Sequence, residues 1–337
     1  MFEHVSIIGD GAMATVLAIL LCEKNVGVQM WGYDATQLRE TAAAGENVKF
    51  LPGYKLPKDL VFEPDDARIM TGADLIVSAV PCQFMRGVWS RLKKHVPKSV
   101  LDGNVPIVSV AKGIENDTLL CPTQIIVDVL GDGISCVALS GPTISDELAR
   151  RLPAVACVAC PDEDLAKKVQ YTFNAPWLRV YTNTDIVGVE LAGAMKNIIA
   201  IAAGIVDGAG AGNNAKAALL SRGLAEITRL GVACGARPET FAGLTGLGDL
   251  VTTCISPTGR NRSFGERIGK GQTLREAQNA TESVIEGIAT CESVYKGLAA
   301  KYDVEIPITQ AVYEVLFEKK PVQVAIADLM SRQLKAE

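Results

Sequence analysis

Val5-Ser6-Ile7-Ile8-Gly9-Asp10-Gly11-Ala12-Met13-Ala14 decides how the first half of the chain folds. An apolar run with strand character, Val5 to Gly9, ends in two glycines one residue apart. A helix-like stretch from Ala12 to Glu23 follows, and Val26 to Trp31 reads as a second strand. Strand, glycine turn and helix in this order form the setting of a dinucleotide fingerprint. Gly9 permits the tight turn. Gly11 lets the backbone approach a pyrophosphate, which rests on the free N–H groups at the helix start beside Ala12 and Met13. Ala14 is small enough for the position where helix and strand pack. The fingerprint also calls for an acid about 20 residues on, at the end of the second strand. There the chain reads Trp31-Gly32-Tyr33-Asp34, and Asp34 serves either a ribose hydroxyl or the N-cap of the next helix. No arginine or lysine stands in that stretch to take a 2′-phosphate, so NAD is favoured over NADP without excluding it.

Working outward, further strand candidates are Leu75 to Val80, Ile107 to Val110, Cys136 to Leu139, Ala154 to Ala159 and Leu178 to Tyr181. Helical stretches separate them, notably Phe84 to His95 and Leu119 to Leu130. This alternation implies an α/β fold with a mostly parallel, doubly wound sheet covered on both faces. Near Asp185 the texture changes to long helical periodicity: Val187 to Val206, Ala215 to Leu230, Leu274 to Ala280 and Ser283 to Lys301. The expected division is a dinucleotide-binding domain over 1–184 and an all-α substrate-binding domain over 185–337.

Composition narrows the class. A formal net charge of -5 disfavours nucleic acid as a partner, because phosphate backbones demand basic surface. Mean hydropathy is +0.21, which raises the membrane question. The most apolar stretch, Ile198 to Val206, is bracketed by Lys196 and Asp207 and falls short of the ~20 residues a spanning helix needs, so it is read as buried rather than inserted. Nine scattered cysteines and the lack of a leader pattern at Met1 fit a reducing, cytoplasmic setting. Cys157 and Cys160 form a lone C-x-x-C with no second pair and no nearby histidine; two small core residues are favoured over zinc or redox chemistry, and no metal is expected.

Chemistry requires a group that exchanges a proton while hydride moves. The only histidines, His4 and His95, sit poorly for that task, which points to lysine. Lys196 interrupts an apolar helix, with Ala192, Gly193, Ala200 and Ala203 at helical spacing around it. Either that small-residue stripe leaves room for a ligand, with burial lowering the lysine's pKa, or the lysine snorkels to solvent beside close helix packing. Downstream, Gly243-Leu244-Thr245-Gly246-Leu247-Gly248-Asp249 ends in an acid able to partner an ammonium. Pro257-Thr258-Gly259-Arg260-Asn261-Arg262 precedes a helix and suits a phosphate, or is a solvated loop. Lys112 in Ser109-Val110-Ala111-Lys112-Gly113, and the run Ser140-Gly141-Pro142-Thr143, follow strand ends, where ligands bind in open sheets.

Taken together these segments resemble the NAD(P)-dependent glycerol-3-phosphate dehydrogenases. The resemblance is carried by Asn47 to Pro57, Ser109 to Glu115, Leu139 to Glu147, Gly188 to Ile205, Ser221 to Leu230, Thr240 to Cys254 and Arg260 to Gly265. It implies a Rossmann-type domain, an all-helical domain, and interconversion of dihydroxyacetone phosphate and sn-glycerol 3-phosphate, a phospholipid precursor. It makes Lys196 the general acid/base, with Asp249 as partner and Lys112 orienting the substrate. Gly141, Thr143 and Asn197 line the substrate site, and Arg260 and Asn261 hold the phosphate. Gly9, Gly11, Ala12, Met13, Tyr33, Lys112, Ser145, Arg260, Val284 and Glu286 fall on the cofactor side. A homodimer is expected from the class. The chain departs from the family's pattern at Ala12-Met13-Ala14-Thr15, where a serine and an aromatic are usual, and at Tyr33, Cys82 and Gly259. These departures weigh on cofactor choice more than on chemistry. Rival readings are a related dehydrogenase of another small hydroxy acid, and a non-catalytic dinucleotide-binding protein.

Overall fold

A computed structural model describes residues 1–281 and 284–334. Contacts divide the chain into two compact units, one comprising Met1–Lys112 and Leu120–Glu190, the other Gly113–Leu119 and Leu191 onward.

The first unit holds ten strands: β1 (His4–Ile8), β2 (Gly27–Trp31), β3 (Glu46–Asn47), β4 (Leu51–Lys55), β5 (Val61–Phe62), β6 (Leu75–Ser78), β7 (Ile107–Ser109), β8 (Cys136–Ser140), β9 (Ala154–Ala159) and β10 (Leu178–Asn183). Eight of them form one sheet in the order β10-β9-β8-β7-β6-β1-β2-β5. Every pairing in it is parallel except β8 with β9. Its central strands are buried and mostly apolar because helices cover both faces. Ile7 and Val77 join one core with Leu17 and Leu21, whereas Ile8 and Ile76 join the other with Trp31, Trp89 and Ile126. Strand order reverses at β1, which lies between β2 and β6, so the end of β1 is the switch point where such sheets bind ligands.

The seven strands expected from the sequence fall where periodicity places them, within two residues at each end. The antiparallel pair β3–β4 and the short β5 lie in segments without alternation and were not anticipated. The helix expected from Leu119 starts at Pro122, because Asp117 and Leu119 hold positive φ values of 67° and 62° that no helix accommodates. The one expected over Ser283 to Lys301 is three pieces, Glu286–Glu292, a π-helical turn Ser293–Leu298 and Ala299–Tyr302; Ser283 itself lies outside the described residues.

Among its described residues the second unit contains helices and no strand. Helix Ile186–Gly208, within which the division at Glu190/Leu191 falls, has 23 residues, longer than its apolar run suggested. It is long and apolar enough to cross a membrane, but 89% of its most apolar window is buried in protein. Four glycines bring it against helix Arg260–Gly269. A Cβ on Gly204 would meet Arg262 O at 2.0 Å, and one on Gly265 would meet Ile201 O at 2.0 Å. Gly208 and Gly269 are as tightly placed, at 2.2 Å from Glu266 O and 2.4 Å from Ile205 O. The two backbones therefore touch directly, which fixes the helices that carry Lys196, Asn197, Arg260 and Asn261.

Candidate active site

In the first unit Gly9 has φ +120° and a Cβ there would stand 2.7 Å from Ala79 O, so only glycine fits. Gly11 N-caps helix Ala12–Glu23 without a side-chain cap, and no acid occupies the first turn. A Cβ on Gly11 would meet no atom within 4 Å. Room beyond the N-terminus of a twelve-residue helix, with donors facing it, suits a pyrophosphate. Ala12 and Met13 are half-buried at this start. Asn47 braces the turn, donating at 2.7 Å to both Asp10 O and Thr15 Oγ1. Asp10 packs against Gly32 at the end of β2, and burial raises its carboxyl above the usual range.

Asp34 acts as the N-cap: its Oδ1 accepts from Thr36 N at 2.8 Å and Gln37 N at 3.3 Å. The absence of a basic residue from Gly32-Tyr33-Asp34 does not leave the end of β2 without a cation. Arg91, from the last turn of helix Cys82–Leu92, donates to Tyr33 O at 3.3 Å. Proximity in sequence therefore misjudged this corner, because the cation arrives from another element.

Also in this unit, Lys112 Nζ donates to Gly141 O at 2.7 Å, and Thr143 Oγ1 donates to the same oxygen at 3.1 Å. Gly141 has φ +125° and sits against Val155 and Ala156 backbone, so its carbonyl is rigidly aimed. Ser145 begins helix Ser145–Ala149. Cys157 and Cys160 lie on β9 and one residue past it; burial pushes the Cys157 thiol up to about 11 and raises that of Cys160 as well, so both are inert thiols.

In the second unit Lys196 does not snorkel. Only 6% exposed, it pairs with Asp249, itself 2% exposed, at 2.6 Å from Nζ to Oδ1. Lys196 also donates to Thr253 Oγ1, which in turn donates to Asp249 Oδ1 at 3.3 Å. The glycine-punctuated stretch is helical: Leu244–Gly248 is a π-helical turn feeding helix Asp249–Ile255. Gly246 makes that turn possible, since a Cβ there would lie 2.0 Å from Phe241 O. One residue along from Lys196, Asn197 Oδ1 accepts from Asn261 Nδ2 at 3.0 Å, and Asn261 Oδ1 accepts from Gly287 N at 3.0 Å. Arg260 is exposed and donates to Val284 O at 3.3 Å. Glu286 opens helix Glu286–Glu292.

Lys196 and Asp249 thus meet, as do Asn197 and Asn261, and Arg260 and Val284. Lys112, Gly141 and Thr143 gather in the first unit. The stripe of small residues around Lys196 is mostly packing: Ala192, Ala200 and Ala203 are buried. Thr253 and Gly287 escaped notice. Thr253 stands one helical turn after Asp249, a spacing that was readable; Gly287 carries no such signal.

The sequence profile described as NAD-dependent glycerol-3-phosphate dehydrogenase N-terminus matches residues 4–166, and that of the C-terminus matches residues 185–327. A glycerol-3-phosphate dehydrogenase [NAD(P)+] of Geobacter sp. (strain M21) is 45% identical over 339 residues, covering 100% of this chain and 99% of the relative. The crystal structure of glycerol-3-phosphate dehydrogenase from Coxiella burnetii superposes with a TM-score of 0.92 at 35% identity, covering 98% of this chain and 99% of that one. The Saccharomyces cerevisiae enzyme gives 0.81 at 30% identity, with 98% and 99% covered.

Proposed function

Because the chain belongs to the NAD-dependent glycerol-3-phosphate dehydrogenase family, we propose that it interconverts dihydroxyacetone phosphate and sn-glycerol 3-phosphate, with Lys196 as general acid/base. The observation that carries this reading is the buried Lys196–Asp249 pair. Desolvating two charges offsets most of their attraction, so such a pair adds little to stability and its presence is better explained by chemistry.

When bound, a reduced nicotinamide would supply the hydride that reduces the substrate carbonyl carbon. Lys196 then delivers a proton from Nζ to the oxygen that gains charge, completing the hydroxyl; the reverse reaction returns that proton to the amine. Asp249 and Thr253 hold Nζ in one orientation, so little reorganisation accompanies the transfer. Lys112, aimed by the Gly141 carbonyl, supplies a second cation for the substrate oxygens. Asn197, tied to Asn261, orients the hydroxyl groups, while Arg260 and the start of helix Arg260–Gly269 take the phosphate. Gly141 and Thr143 line that side of the substrate. Gly9, Gly11, Ala12 and Met13 would hold the pyrophosphate, and Tyr33, Lys112, Ser145, Arg260, Val284 and Glu286 the rest of the cofactor.

In this reading residues 1–184 bind the dinucleotide and 185–337 the substrate. The product feeds phospholipid synthesis, and the protein works as a cytoplasmic homodimer. Nine free thiols support a reducing compartment, and light scattering on the purified chain tests the dimer.

The decisive test is oxidation of NADH and NADPH, in parallel, on adding dihydroxyacetone phosphate. Rapid oxidation of either supports the reading. Folded protein that oxidises neither, or that prefers another carbonyl acid, overturns it.

A further inference from the structure

The corner beyond β2 is built around a cation that sequence proximity does not reveal. Arg91 is held on one edge by Asp66, with Nε to Oδ2 at 2.6 Å and Nη2 to Oδ1 at 2.8 Å. Trp31 Nε1 donates to the same Oδ1 at 3.0 Å, which locks the carboxylate. The other edge of the guanidinium faces Tyr33, with Nη1 on the Tyr33 carbonyl. Its carbon stands 5.1 Å from the Trp31 ring centroid and 5.2 Å from that of Tyr33. The Arg91 side chain remains 38% exposed and Tyr33 is 66% exposed, so a pre-oriented cation and an open aromatic face lie side by side.

The position is the one at which doubly wound folds choose between a ribose 2′-hydroxyl and a 2′-phosphate. The acid that favours the hydroxyl, Asp34, has one carboxylate oxygen engaged by Thr36 and Gln37 as the helix cap. We infer that Arg91 recognises the 2′-phosphate of NADPH from its Nη1 edge, while Tyr33 offers its ring to the adenine. A guanidinium with one edge already fixed loses little freedom on binding a phosphate, and its charge-assisted hydrogen bonds are strong. Asp66, Asp34 and Asp10 oppose an added dianion at this corner. That balance predicts use of both cofactors, with Arg91 setting the ratio.

The inference rests on the NAD(P) reading of the first unit, and binding of cofactor fragments separates the two. The full chain is titrated calorimetrically with adenosine 2′,5′-bisphosphate and with 5′-AMP. The wild type is expected to favour the bisphosphate by about tenfold or more, the scale of one charge-assisted contact. Arg91→Met removes that preference and leaves 5′-AMP binding within about twofold, and the KM for NADPH rises while that for NADH holds. Asp66→Asn keeps an amide oxygen for Arg91 while removing a negative charge beside the phosphate, so it tightens the bisphosphate, a gain that misfolding cannot produce. An unchanged ratio in Arg91→Met, or equal loss of both probes, overturns the inference and makes Arg91 a prop for Tyr33. Wild-type protein that binds neither probe and oxidises neither cofactor overturns the dinucleotide reading itself.

Discussion

Lys196 is the residue on which the proposed chemistry turns, and its surroundings make the test of its role demanding. Replacing it with methionine removes the cation that balances the buried Asp249 carboxylate, a change that costs about 3–5 kcal/mol of stability. Loss of a general acid is expected to lower kcat by about 10²–10⁴-fold. The two effects separate by chemical rescue: in Lys196→Ala a small alkylamine added to the assay should restore part of kcat, whereas a destabilised fold gains nothing from it. Absence of rescue, together with near-normal turnover in Lys196→Met, removes Lys196 from the mechanism. Its isolation among apolar residues was readable from sequence, since a lone cation in a buried stripe needs a reason. Its bonding to Thr253 was not, although the Asp249–Thr253 spacing was, and neither was the arrival of Arg91 beside Tyr33. Both depend on which side chains the fold brings together, and hydrophobic periodicity carries no record of that for polar groups.

Between elements, the substrate side depends on how closely helix Arg260–Gly269 lies against helix Ile186–Gly208. Gly204, Gly208, Gly265 and Gly269 let the backbones meet, and the Asn197–Asn261 hydrogen bond spans the same contact. Gly265→Ala places a Cβ 2.0 Å from Ile201 O, backbone that cannot yield by a rotamer change. The variant should lose about 3 kcal/mol or more and raise the KM for dihydroxyacetone phosphate as Asn261 shifts. Gly271→Ala, at φ +93° with open space around it, should cost only about 1 kcal/mol and leave KM unchanged. Equal behaviour of the two variants in denaturant titrations and kinetics would refute this account. The apolar and glycine content of these helices was visible in the sequence, but its use was left open. The small residues around Lys196 were readable either as space for a ligand or as close packing, and Ala192, Gly193, Ala200 and Ala203 are all buried. The π-helical turn at Leu244–Gly248 and the β3–β4 pair were illegible for a different reason: each is held by a local backbone contact, through Gly246 and through Asn47, and neither repeats a hydrophobic period.

At the scale of the whole molecule, one buried acid couples stability to pH. Glu190 is the last residue of the first unit before the chain passes to the second, and Thr123 follows closely on the return at Leu120. Glu190 accepts from Thr123 N at 2.9 Å and from Thr123 Oγ1 at 2.5 Å, which fastens the start of helix Pro122–Leu130. Burial raises its carboxyl from 4.5 to about 7, the Thr123 donors pulling the other way. The folded chain therefore holds this proton more tightly than the unfolded chain does. Its stabilising share is complete below pH 4.5 and is lost as pH rises through about 7, amounting to about 3 kcal/mol by linkage. Glu190→Gln keeps an amide oxygen for Thr123 and has no proton to lose. In urea unfolding at pH 5 and pH 8.5, the wild type should lose about 2.5 kcal/mol more than the variant over that interval. At pH 8.5 the variant should be the more stable of the two relative to their order at pH 5. Parallel pH profiles would show that Glu190 ionises in the folded protein as it does in the unfolded chain, and that the bond to Thr123 outweighs its burial.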